Sequence, residues 1–142
     1  MIKDIKERLG EFKIAEIFGL SMYKPDTVKI IARAAEFQQD SACIVFGDFC
    51  GDTLCGAIAV HTDAEKTLAE IRNIATDGGC RHRGVGTALV RAAAERLKAA
   101  GFTALIAETD DDAKGFYEKT GFRLTETSER CGVTRYHFKL KL

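Results

Sequence analysis

The chain has 142 residues, 46% of them hydrophobic, and its 21 basic and 21 acidic side chains balance to a formal charge of zero. That length fits one domain able to bury a core without staples, and the apolar content excludes a disordered chain. The neutral balance argues against a general nucleic-acid binder, which would carry a basic excess.

Ile2, Ile5, Leu9 and Phe12 recur at helical intervals and predict a helix over residues 2–18. Residues 19–25 form a break, and Pro25 suits the first position of a second helix, where its missing N–H costs nothing. In that helix Val28, Ile31, Ala32 and Ala35 fall on one face. The period then changes. Residues 43–49 and 54–61 are short runs rich in strand formers, joined across Gly51-Asp52 as a hairpin. Residues 68–76 alternate as a third strand. A loop rich in glycine and arginine, DGGCRHRGVG, leads into a helix reaching Ala100, with Val85, Leu89, Ala93 and Leu97 stacked inward. Gly101 stops it, and residues 103–107 form a strand. Asp112 is the expected cap of a short helix ending at Gly121. Another strand opens over residues 122–125. In the terminal segment Tyr136, Phe138, Leu140 and Leu142 alternate with Arg135, His137, Lys139 and Lys141. This order of elements is that of an α/β domain with helices on both sides of a mixed sheet.

The cysteines, Cys43, Cys50, Cys55, Cys80 and Cys131, are odd in number and contain no C-x-x-C pair, so free thiols in a reducing cytoplasm are expected. His61, His82 and His137 show no metal spacing, and no metal is expected. The charged start MIKDIKERLGEFK does not read as a signal peptide. No apolar stretch approaches the roughly 18 residues of a membrane span. The expected location is cytoplasmic, without a membrane partner.

The informative segment is Arg81-His82-Arg83-Gly84-Val85-Gly86-Thr87, between a strand and a helix. Glycines here let the backbone turn tightly, and the helix start turns free N–H groups and the positive end of its dipole to one place. With three basic side chains added, this is an anion site suited to a phosphate or pyrophosphate. A nucleotide-triphosphate loop fails, because Val85 and Gly86 follow Gly84 where Lys and Ser or Thr are required. A dinucleotide fingerprint starting at Gly84 fails too, since Leu89 stands at its third glycine.

Arg-x-x-Gly-x-Gly opening a helix, followed downstream by Phe-Tyr-Glu-Lys-Thr-Gly-Phe at residues 116–122, resembles the GNAT superfamily of N-acetyltransferases. The likeness covers residues 42–142 well and is weak over residues 1–41, where the family usually opens with a strand. It implies one N-acetyltransferase domain over residues 1–142, with a mixed, mostly antiparallel sheet and helices on both faces. It implies acetyl-CoA as co-substrate and an amine acceptor, either a small molecule or a protein, and it allows a homodimer; nucleic acid is not expected as a partner. By the same resemblance, the backbone of Ile74, Ala75 and Thr76 holds pantetheine and the thioester carbonyl. Arg81, His82, Arg83, Gly84, Val85, Gly86 and Thr87 hold the pyrophosphate. Tyr117 matches the tyrosine proposed to protonate the departing thiolate, which suits a phenol protonated at pH 7.

Glu70 matches the glutamate that deprotonates the amine in histone-type members, with Glu108 as its rival. Unless a bulge intervenes, strand alternation puts Glu70, Arg72 and Ile74 on one face. Asp110 stands where the family often has an asparagine contacting CoA, which an aspartate cannot do by donation. Cys80 beside the arginines is weighed as a nucleophile and set aside, since no base is paired with it. A non-catalytic module that senses acyl-CoA is the alternative to an enzyme.

Overall fold

The computed structural model describes residues 1–80 and 84–142. Seven strands form one sheet: β1 (Ile2–Asp4), β2 (Cys43–Cys50), β3 (Thr53–Thr62), β4 (Leu68–Thr76), β5 (Ala104–Thr109), β6 (Arg123–Arg130) and β7 (Val133–Lys141). Their order is β1-β2-β3-β4-β5-β7-β6, and every pairing is antiparallel except β4 with β5. The helices are α1 (Phe12–Ala15), α2 (Thr27–Gln39), α3 (Val85–Ala99) and α4 (Asp111–Lys119), with a 3-10 turn over Glu16–Ser21 joined to α1. This is the single α/β domain with a mostly antiparallel sheet that the sequence led us to expect.

The two faces of the sheet carry separate cores. On one, α3 and α4 bury Leu89, Leu97 and Tyr117 against Ile58, Ile71, Leu105 and Phe138. On the other, the N-terminal segment and α2 bury Ile5, Ile17, Phe18 and Phe37 against Val45, Ala57 and Ala59. Alternating strand side chains supply both cores, as a sheet covered on two sides requires.

Two expectations fail in the N-terminal third. Residues 2–18 are not one helix: Ile2–Asp4 pair with Phe46–Asp48 as an edge strand, and short turns follow. Ile5 and Leu9 are buried, but they flank a single 3-10 turn at Lys6–Arg8 rather than lying along one long helical face. In α2 the buried stripe is Ile30, Ala34 and Phe37, while Val28 and Ile31 are 77% and 53% exposed. That helix is apolar on two sides, and the bulky Phe37, edge-on to Phe18, selects the side that packs. Pro25 sits before the cap rather than at the first helical position; Asp26 caps α2 by accepting from the N–H of Lys29 at 2.8 Å.

The C-terminal two thirds follow the expected order, with one change of cap. Asp110, not Asp112, caps α4, its carboxylate accepting from the N–H of Asp112 at 3.0 Å. The expectation of five free thiols also fails. Cys55 and Cys80 form a disulfide with Cα atoms 5.6 Å apart, because the N–H of Asp77 bonds the carbonyl of Cys55 and brings the end of β4 against β3. Cys43, Cys50 and Cys131 are free. Among the described residues no helix is long and apolar enough to cross a membrane.

Candidate active site

Among the described residues β4 and β5 are the one parallel pair in the sheet, and their seam is short. β4 meets β5 over Leu68–Glu70 and Ala104–Ile106, and no pairing continues beyond that point. β4 runs on to Thr76 and β5 to Thr109, so the strands part into a fork. Inside it the edge groups of Ile74, Ala75 and Thr76 on the β5 side are left without a strand partner, and backbone donors there need a partner from outside the sheet.

A bulge starts this divergence. On β3, Ala59 faces Asn73 and the next residue, Val60, faces Ile71, so Arg72 is the extra residue. One inserted residue reverses every side chain after it. Ala69 and Ile71 point to the α3 core before the bulge, whereas Ala75 joins the opposite core after it and Ile74 packs toward α3. The expected grouping of Glu70 and Ile74 on one face is therefore overturned. Glu70 lies on the α2 face of the sheet and Ile74 on the α3 face.

The mouth of the fork is closed by the start of α3. Gly84 is its N-cap with φ 72°, a left-handed conformation that favours glycine, and among the described residues no side chain caps the helix. The first helical bond is donated by Ala88 to Gly84, which leaves the N–H groups of Val85, Gly86 and Thr87 without intrahelical acceptors. Such a turn, at the positive end of a helix of 15 residues, is built for an anion. The side chain of Val85 is buried, so it serves by its backbone alone. Gly86 has a second duty. A Cβ there would come within 2.9 Å of the Phe116 ring, so the glycine lets α3 and α4 pack closely. Gly56, which sequence reasoning passed over, does the same below: a Cβ would meet Val85 at 2.6 Å and the carbonyl of Ala75 at 2.9 Å. A lone glycine inside a strand run is the signal that could have found it. Arg81, His82 and Arg83 lie outside the described residues.

Tyr117, on α4, is 4% exposed. Its ring packs edge-on to Phe116 and Phe122, each at 5.2 Å, and stacks on Phe138 at 5.6 Å. The hydroxyl has no hydrogen-bond partner among the described residues, yet it is not sealed from solvent. Burial pushes the phenol pKa up to about 12, so the proton is held throughout the neutral range.

Glu70 is the last β4 residue paired with β5, at the apex of the fork. Its carboxylate is half-exposed, pairs with Arg72 at 2.8 Å, and lines a cavity of about 170 Å³ with Ile106, Glu108 and His137. Glu108 is bound differently. Arg135 holds it at 2.9 Å and Arg130 at 3.8 Å, and the hydrogen bond from Arg135 leads the causes that keep its pKa below the usual carboxylate range. A carboxylate so neutralised is a poor proton acceptor. Asp110 is engaged as a helix cap, which accounts for an aspartate at this position without any ligand. Cys80 is tied to Cys55 and is no free nucleophile.

Residues 12–122 match the description of the acetyltransferase (GNAT) family. No protein of curated function matches the chain. Among solved structures, an aminoglycoside 6'-N-acetyltransferase complexed with coenzyme A superposes with a TM-score of 0.88 at 13% identity, covering 99% of this chain and 96% of that one. The aminoglycoside 6'-N-acetyltransferase from Enterococcus faecium gives 0.86 at 14% identity, covering 99% and 96%. The ribosomal-protein-S18-alanine N-acetyltransferase from Escherichia coli gives 0.80 at 18% identity, covering 99% and 92%.

Proposed function

The chain belongs to the acetyltransferase (GNAT) family, and from that premise we propose that it moves an acetyl group from acetyl-CoA to a primary amine by direct attack in a ternary complex. The observation that carries this reading is that the open start of α3 adjoins the unpaired arm of β4, Val85 and the carbonyl of Ala75 both lying against Gly56. Acetyl-CoA supplies the acetyl group as a thioester. The N–H groups of Val85, Gly86 and Thr87 hold its pyrophosphate, with Arg81, His82 and Arg83 adjoining in the sequence. The backbone of Ile74, Ala75 and Thr76 holds the pantetheine arm and polarises the carbonyl.

Glu70 and Tyr117 stand on opposite faces of the sheet. A base on one face and an acid on the other suit a reaction that passes through the sheet. Glu70 accepts a proton from the ammonium form of the acceptor, leaving a neutral amine whose nitrogen bonds to the acetyl carbon. The carbon–sulfur bond breaks with its electron pair on sulfur, Tyr117 Oη protonates that sulfur, and the second proton lost by the acylated nitrogen passes through solvent to restore the phenol. The acceptor approaches on the α2 face, between the segment of residues 19–26 and the cavity at Glu70. It is an amine of a small molecule or a protein, and the cytoplasm is the proposed site of action.

Gly84→Asp tests the cofactor assignment. A carboxylate at the open N-terminus of α3 would occupy the anion position and repel a pyrophosphate. Calorimetric titration with acetyl-CoA should show loss of most affinity in a variant that keeps its circular dichroism. Unchanged affinity in the folded variant would overturn the assignment.

A further inference from the structure

We propose that the hydrogen bond from Ser21 to Asn73 is a positioning device, registering the acceptor-side segment against the arm of the fork that holds the thioester. The inference rests on the proposed transferase reading. Asn73 is a buried polar side chain, 7% exposed, and is the first residue after the β4 bulge. It faces the α2 core, next to Ala59 across the strand pair and two residues before Ala75. An apolar side chain would suit those surroundings, and a polar one is costly there unless it is bonded. Its Oδ1 accepts from Ser21 Oγ at 2.5 Å, and the partner comes from 52 residues away in the chain.

Ser21 ends the 3-10 turn of Glu16–Ser21, and its Oγ also lies 3.2 Å from the carbonyl of Phe18. With Met22, Tyr23, Lys29 and Arg33 it walls a cavity of about 500 Å³. One bond therefore joins the wall of a cavity on the α2 face to the residue directly before Ile74. Buried polar contacts of this kind set register more than they add stability. In the bonded state the acceptor wall and the backbone at Ile74 move as one body. Without the bond, the acceptor end loosens while the pyrophosphate anchor on α3 is untouched. Asn73 and Ser21 are thus positioning residues, not groups that touch the reacting atoms.

The test uses Ser21→Ala, Asn73→Ala, the double variant and Ser21→Thr, which keeps the hydroxyl. Turnover is measured with acetyl-CoA and three amines: kanamycin, spermidine and a peptide beginning with alanine. Hydrogen exchange of residues 16–26 is followed in parallel. The expected result is a loss of about tenfold or more in kcat/KM for the accepted amine, with acetyl-CoA affinity within about threefold of wild type. Exchange over residues 16–26 should speed up, the double variant should be no worse than either single one, and Ser21→Thr should restore the rate. Losses that multiply in the double variant, or acceptor kinetics and exchange both unchanged, would overturn the proposal. Should the wild type turn over none of the three amines, the transferase reading fails separately, and exchange alone decides. Faster exchange in both single variants upholds the tie, and unchanged exchange overturns it. Ser21→Ala keeps the test open if removing the buried amide prevents folding.

Discussion

Two side chains divide the proposed chemistry, and each has an alternative that one substitution separates. Tyr117 is enclosed by three aromatic rings, so Tyr117→Phe should leave the core intact. If the hydroxyl protonates the thiolate, kcat and kcat/KM fall together by about 10²-fold while acetyl-CoA affinity holds. Turnover within about twofold of wild type, where chemistry limits the rate, would reduce Tyr117 to a packing residue. The same burial has a signature in stability. Folding raises this pKa from the ordinary 10 to about 12, so the native state keeps its proton where the unfolded chain loses it. The stabilisation is complete below about pH 10 and is lost as the pH rises through about 12. Denaturation curves over that range should fall more steeply for wild type than for Tyr117→Phe. Glu70→Gln keeps shape and removes the proton acceptor. As the base, Glu70 should contribute roughly 10²–10⁴-fold in rate, and the variant should lose the acidic limb of the pH profile. Wild-type turnover at every pH would return Glu70 to a surface ion pair with Arg72.

α3 approaches α4 closely where Gly86 faces the Phe116 ring. Gly86→Ala should push the Phe116 ring, which lies 2.9 Å from the new Cβ, and with it the helix that carries Tyr117. Overpacking of this kind costs about 1–3 kcal/mol, to be read from chemical denaturation, and a stability unchanged from wild type would mean that the ring has room to move. This contact also shows how far elements were legible. Gly86 and Phe116 belong to two separate sequence motifs, and the motifs are neighbours because they pack. The strands from Cys43 onward, the inward row of α3 and the order of elements could be read because turn residues and period agree there. Residues 2–18 could not, because Ile2, Ile5, Leu9 and Phe12 keep helical spacing while a strand of three residues leaves no period of its own. In α2 both faces are apolar, and only packing against Phe18 decides between them. The bulge at Arg72 was invisible, since one extra residue in a ladder has no mark in an alternating run. It nonetheless moved Glu70 and Ile74 to opposite faces of the sheet.

For the whole molecule, the sheet is a partition: one face carries α3, α4 and Tyr117, the other carries α2, the 3-10 turn and Glu70, and the proposed reaction passes between them at the fork. The family and the fold were within reach of the sequence, because the glycine loop and the Phe-Tyr segment keep their order and spacing. The proposed acceptor side was not, because one of its cavities is walled by residues 21–23 with α2 and the other by Glu70 with β5, β6 and β7, and each set comes together only in the folded chain. The pairing of Cys55 with Cys80 was likewise hidden, since 25 residues separate them and only the return of β4 along β3 brings them together. Release of free CoA thiol from acetyl-CoA, followed over time with kanamycin, spermidine and an alanine-initiated peptide, tests the central claim most directly. The account predicts release that depends on one of these amines and yields its N-acetyl product by mass spectrometry. Acetyl-CoA bound by the protein, with no amine-dependent thiol release from any of them, would contradict it and favour a module that binds acyl-CoA without turnover.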